Sequence, residues 1–113
     1  MALVDAVITD RAMEAVRVIE EWGHVRAAYL FGSHVQGTAD QWSDIDIAAF
    51  VEGAEEWDFE RLSRACGAVQ RRAGLDIEMH IFPASSYEDP PRASFAQYVL
   101  QHGTQLPTEG VGG

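Results

Sequence analysis

The sequence predicts an α/β (α+β) domain, with a small mixed β-sheet and helices packed mainly on one face. Three observations lead there. Apolar runs at 25–31, 44–51 and 75–82 have the length and composition of strands. The segments 10–22, 55–73 and 92–102 instead carry apolar residues at helical spacing. Glycine or proline stands at the junctions, at Gly23, Gly32, Gly53, Gly74, Pro83 and Gly103. At 113 residues the chain suits one domain with one core. Residues 1–104 are expected to form it, and 105–113 to be a mobile glycine-rich tail.

Taken in order, the first helix has Thr9 or Asp10 as candidate cap, and Ala12, Val16 and Ile19 on its apolar stripe. Gly23 is a natural stop, and His24 reads as a loop residue. In the first strand, Val25 to Phe31, Tyr29 and Phe31 share a face and Leu30 takes the other, so both faces are apolar and the strand belongs inside the sheet. A short helix over Ser33–Gln36 and a loop to Trp42, read as a loop anchor, lead to the second strand, Asp44 to Val51. The helix 55–73 has acids at its start and arginines later, which complements its dipole. Leu62, Ala65, Val69 and Ala73 are its expected buried stripe, with Cys66 alongside as a buried structural thiol and the arginines as a solvated face. The third strand alternates Leu75, Ile77, Met79 and Ile81 against Asp76, Glu78, His80 and Phe82. A loop over 83–91 follows, with Asp89 as cap before Pro90-Pro91. The last helix then buries Phe95 and Val99, with Tyr98, and closes at Gly103.

Composition narrows the function. The net charge is −10, and the basic residues are eight arginines with no lysine. Non-specific nucleic-acid binding is driven by phosphate neutralisation, so direct binding of nucleic acid is disfavoured. A single cysteine, Cys66, excludes an intrachain disulfide. No apolar segment is long enough to span a membrane and no basic-then-apolar leader is present, so the expected location is cytoplasmic.

The chemistry is concentrated between residues 28 and 48. The first strand stops at Gly32-Ser33, and ten residues later Asp44-x-Asp46 opens the second strand. Alone, a Gly-Ser pair is a turn and an Asp-x-Asp an exposed strand face. Together, at this spacing, they form a site. Residues two apart on a strand share a face, so Asp44 and Asp46 project together. Adjacent carboxylates repel, and a divalent ion between them removes that cost. Hard Mg²⁺ held by one or two carboxylates and substrate phosphates is the common form. Gly32 lets the backbone approach a ligand closely, and the hydroxyl of Ser33 with the N–H groups of the short helix faces an anion. One side would hold phosphates and the other a metal, an arrangement for nucleotidyl or phosphoryl transfer.

These residues resemble the signature of the minimal nucleotidyltransferases of the DNA polymerase β superfamily, and the antitoxin half of bacterial HEPN–MNT pairs. Leu30-Phe31, Gly37 and Ser43 also fit that pattern. The resemblance implies a reduced nucleotidyltransferase core that moves a nucleoside monophosphate, AMP from ATP, to a hydroxyl. Asp44 and Asp46 would bind Mg²⁺, and Gly32, Ser33 and Ser43 would hold the NTP. The superfamily takes a third carboxylate from a neighbouring strand. Asp76 and Glu78 both qualify, and Glu78 is favoured because its apolar-acid-apolar triplet runs on toward Phe82-Pro83. His80 reads as a neighbour, since magnesium prefers oxygen. The implied acceptor is a tyrosine of a helical HEPN-domain toxin, which this chain would silence as antitoxin in a homo- or hetero-oligomer. The chain departs from the family at His34 and Gln36, where basic residues are usual, and at Val35, which replaces a small alanine. Thin phosphate neutralisation raises the alternative of a binding subunit that neutralises its partner by contact. A third reading is nucleotidylation of a small molecule of the aminoglycoside type, which would need a homodimer to build a binding site.

Overall fold

The computed structural model describes residues 5–40 and 43–108. The elements are α1 (Ala6–Glu20), β1 (Val25–Phe31), α2 (Ser33–Gln36), β2 (Ile45–Val51), α3 (Phe59–Ala73), β3 (Ile77–Pro83), α4 (Ser85–Glu88), α5 (Phe95–His102) and β4 (Thr104–Leu106). The sheet order is β3-β2-β1-β4. β1 runs antiparallel to β2 and to β4, while β2 and β3 are parallel, so the sheet is mixed as expected. Among the described residues, no helix is long and apolar enough to cross a membrane.

Alternation along the strands divides the molecule into two packing layers. Leu30 of β1, Ile45, Ile47 and Val51 of β2 and Ile77 of β3 face α1 and α3, against Val16, Ile19, Ala65 and Val69. This is the larger core. Each fully buried valine or isoleucine there contributes about 1.5–3 kcal/mol from removal of apolar surface. The opposite face carries a smaller cluster of Ala27, Phe31, Ala48 and Phe50 under Ala96 and Val99 of α5. The helix layer is thus mainly on one face, with short α4 and α5 covering only part of the other.

Several expected boundaries move. Asp5, not Thr9 or Asp10, caps α1, its side chain accepting from the Val7 N–H at 2.7 Å. β2 starts at Ile45, leaving Asp44 just outside it. The helix expected over 55–73 is divided: Ala54–Glu56 make a 3₁₀ turn, and Trp57 is extended. Asp58 then caps α3 by accepting from the Arg61 N–H at 2.8 Å. An aspartate free to satisfy a first-turn N–H favours a new helix start over continuation. In α3 only Ala65 and Val69 of the expected stripe are fully buried, and Cys66 is half-buried. Burial still pushes its thiol pKa up. The α3 arginines are more than a solvated face, because Arg72 reaches Glu21 at 2.6 Å and Glu14 at 3.2 Å and ties α3 to α1. β3 starts at Ile77, and Leu75 is 83% exposed instead of joining the apolar face.

The C-terminal third differs most. The expected loop 83–91 contains α4. Ser94, not Asp89, caps α5, accepting from the Gln97 N–H at 3.1 Å. Phe95 and Tyr98, expected in the core, are 47% and 39% exposed, while Ala96 and Val99 are buried. Thr104–Leu106, assigned mostly to a mobile tail, pairs with Ala28–Leu30 as an edge strand. The anchor role expected of Trp42 and the part of the expected tail over 109–113 lie outside the described residues.

Candidate active site

β1 delivers the chain to Gly32, whose φ of +82° and ψ of −153° are open essentially to glycine alone. Space demands glycine as well. A Cβ here would stand 2.5 Å from Oδ2 of Asp46. The Gly-Ser turn and the second aspartate of Asp-x-Asp therefore touch, although fourteen positions separate them in sequence. After the turn, the N–H groups of Val35 and Gln36 both donate to the Gly32 carbonyl at 3.0 Å, forming the single turn of α2. Gly37, at φ +80°, ends it.

The residues around this turn are tied down locally. His34 Nε2 lies 3.4 Å from the Ser43 carbonyl oxygen. Gln36 donates to the Tyr98 hydroxyl at 3.0 Å, linking α2 to α5. The Ser43 hydroxyl accepts from the Asp40 N–H at 3.0 Å and lies 3.3 Å from the Asp40 carboxylate. Its bonds close the loop that leads into Asp44.

The parallel register of β2 and β3 sets Asp46 beside Glu78. On β1, Asp46 lies opposite Phe31. Side chains of paired residues project to the same side of a sheet, so two carboxylates from different strands meet there. His80, two residues after Glu78, projects to that side too, with Nε2 at 3.7 Å from both Asp46 Oδ1 and Glu78 Oε1. One ligand atom from each of the three lies within 4.8 Å of the others, which makes this a group able to hold a metal ion. Burial, then the charge of Glu78 and a hydrogen bond to it, raise the Asp46 carboxyl above the usual carboxylate range. His80 opposes this, and Asp44 adds to it. Among the described residues, no arginine pairs with Asp46 or Glu78.

Asp44 and Asp76 are placed differently. Asp44 is exposed, outside the close trio, yet near enough for its charge to act on Asp46. Asp76 belongs to Arg11, whose guanidinium bonds both its carboxylate oxygens and also donates to the Ala73 carbonyl at 3.1 Å. The Arg11 hydrogen bond holds the Asp76 carboxyl below its ordinary range. Of the two acids considered for a third carboxylate, Glu78 is brought to Asp46 and Asp76 is held against α1. An open groove of about 300 Å³ runs past Asp44, Asp76 and Glu78.

Sequence reasoning gave His80 only the role of a neighbour and missed Phe95. His80 had a legible signal in its two-residue spacing from Glu78. Phe95 had none. It overhangs the sheet end, with its ring 5.3 Å from His80 and 5.5 Å from Phe31.

The profile of the family described as "Polymerase beta, Nucleotidyltransferase" matches residues 14–106. Among solved structures, a Sulfolobus solfataricus protein provisionally classed as a nucleotidyltransferase superposes with a TM-score of 0.51 at 18% identity, over 73% of this chain and 75% of that one. At that identity it speaks for the fold alone. A toxin–antitoxin structure with AMP-PNP superposes with a TM-score of 0.59 at 25% identity, over 87% of this chain and 74% of that one. Comparison with curated proteins gives no match. The profile spans the Gly32-Ser33 turn, Asp44-x-Asp46 and Glu78 together, and the chain belongs to the polymerase β nucleotidyltransferase family.

Proposed function

We propose that this chain transfers AMP from ATP to a hydroxyl, a tyrosine of a helical HEPN-domain toxin, and so acts as its antitoxin. The observation that carries this reading is the meeting of three separate sequence elements at one point: the Gly32 turn against Asp46, and Asp46 against Glu78. The similarity to a toxin–antitoxin structure with AMP-PNP supports the nucleotide and the kind of partner.

The residues fit a divalent cation. Two carboxylates face each other across a strand pair, the charged form of Asp46 is disfavoured as things stand, and no arginine pairs with either among the described residues. Asp44, Asp46 and Glu78 would hold Mg²⁺, which when bound neutralises charge on the triphosphate and on the acceptor oxygen. Gly32 and Ser33 receive the β- and γ-phosphates, because the turn places backbone against the carboxylates without an intervening side chain. Ser43 fixes the loop that presents Asp44. The acceptor oxygen attacks the α-phosphorus, the bond to the bridging oxygen breaks, and pyrophosphate leaves. The acceptor proton passes to Glu78, which is more exposed than Asp46 and can release it to solvent. Alignment and charge placement supply most of the acceleration.

The test is intact-mass spectrometry of the neighbouring gene's product after incubation with this chain, ATP and Mg²⁺. A gain of AMP on the partner that disappears with Asp46→Asn is the expected result. Undiminished transfer by that variant would sink the assignment.

A second reading has its own observation. In α2 the positions where basic residues are usual hold His34 and Gln36, directed to the Ser43 carbonyl and the Tyr98 hydroxyl. Little positive charge is then left for a triphosphate. On this reading the chain silences its partner by contact, and the same experiment would show a stable, inactive complex with no mass gain.

A further inference from the structure

We propose that His80 is a nitrogen ligand in a mixed histidine–carboxylate cation site with Asp46 and Glu78, and that this site takes a first-row transition ion in preference to Mg²⁺. The inference rests on the proposed reading that this face of the sheet binds a divalent cation, and deepens it by naming a further ligand and the class of ion.

His80 Nε2 exposes less than 1 Å² and has no hydrogen-bond partner among the described residues. A buried polar nitrogen without a partner costs free energy and calls for an explanation. One oxygen each of Asp46 and Glu78 lies 3.7 Å from it. That exceeds hydrogen-bond length, so a proton on Nε2 would face the carboxylates without bonding either.

Two donors that each sit about 2.1 Å from one ion can be at most about 4.2 Å apart. Both nitrogen-to-oxygen separations, at 3.7 Å, fall inside that limit. A cation among them would satisfy Nε2 and relieve the repulsion between Asp46 and Glu78 at once.

Glu78 and His80 come from one strand at a spacing of two, and Asp46 from its hydrogen-bonded neighbour, so backbone pairing fixes the three relative to one another. The His80 ring packs between Phe31 at 5.3 Å and Phe95 at 5.3 Å, which limits its rotation. Ligands held by rigid elements are the ones that select among ions.

Donor chemistry decides the ion. Mg²⁺ strongly prefers oxygen and keeps much of its water, whereas imidazole suits the later divalent metals; affinity rises along the first row from Mn²⁺, which is therefore the most stringent paramagnetic probe of the site. Replacing one oxygen of an all-oxygen set by imidazole therefore shifts the preference away from Mg²⁺.

The experiment is pulsed EPR of Mn²⁺ added to the chelator-treated full chain. Direct ¹⁴N modulation from a bound imidazole is expected in the wild type, lost in His80→Asn and retained in His34→Asn. Competition titrations should show Mn²⁺ favoured over Mg²⁺ at least tenfold more strongly in the wild type than in His80→Asn. The wild-type spectrum stands whether or not the variant folds. Mn²⁺ bound with oxygen-only surroundings, or nitrogen modulation that survives His80→Asn and vanishes in His34→Asn, would overturn the proposal. Either result would leave AMP transfer to be judged by the partner's mass, so the two readings fail separately.

Discussion

On the face that α1 and α3 cover, arginines engage acids and aromatic rings. Arg11 holds Asp76, Arg72 bridges Glu14 and Glu21, and the Arg61 guanidinium lies over the rings of Trp22 and Trp57. On the opposite face, Asp46, Glu78 and His80 converge, and among the described residues no arginine pairs with the two acids. The two acids Asp76 and Glu78 show the contrast within one short stretch of chain. Asp76 is held below its ordinary pKa by a cation, while Glu78 helps push Asp46 above its own. The first face lowers the free energy of the fold. The second keeps an electrostatic cost in place, and a site for a cation and phosphates needs that cost to be unrelieved by the protein itself.

Substitutions on the two faces should therefore behave oppositely. The largest stability effect belongs to the helix-covered face. Ile47→Ala, at a fully buried position, should cost about 2–5 kcal/mol in urea unfolding. A cost well under 1 kcal/mol would mean that this face is not the main core. Next comes Gly32→Ala, at the boundary between the two. It forces a left-handed φ on alanine and drives a methyl group into the Asp46 carboxylate, so it should cost about 1–3 kcal/mol and reduce transfer as well. Thermal melts and AMP transfer on one preparation would check both.

Asp46→Asn should move stability the other way. The folded-state pKa of Asp46 is raised, so its contribution is fully present below the ordinary carboxylate pKa and is lost as pH rises through the raised value. At neutral pH the wild type carries that cost and the asparagine variant does not. In chelator the variant should be more stable by about 1 kcal/mol, with the gap closing as pH falls toward the ordinary carboxylate range. Melts across that range would show it. The smallest effect is Asp76→Asn. Its folded pKa is lowered, so the Arg11 pair contributes above the ordinary value and is lost as pH falls through the lowered one. Because the pair is substantially exposed, the loss at neutral pH should stay below about 1 kcal/mol, with transfer little changed. Loss of transfer in Asp76→Asn with retention in Glu78→Gln would reverse the roles given to these acids.

Much of this was legible because alternation and spacing are local. The extent of β1, the short α2 and the Gly32-Ser33 to Asp44-x-Asp46 spacing could be read directly from the residues. What could not be read depends on strand order. That Glu78 meets Asp46 follows from the parallel register of β2 and β3, and that Asp76 does not follows from Arg11 on α1, distant in sequence. Thr104–Leu106 has too little pattern to announce a strand, and becomes one by pairing with the open edge of β1. Leu75 continues the alternation of β3 in sequence, but the strand has not yet begun and the side chain stays in solvent. Phe95 carries a core residue's chemistry in the first turn of α5, where the sheet beneath it is ending at the candidate site.

The most direct test is to follow Asp46→Asn by two readouts on one sample, its melting temperature in chelator at neutral pH and the mass of the partner after incubation with ATP and Mg²⁺. The account predicts a higher melting temperature than wild type and no AMP on the partner. Transfer that persists, or transfer lost together with a lowered melting temperature, would contradict a face that gives up stability for catalysis.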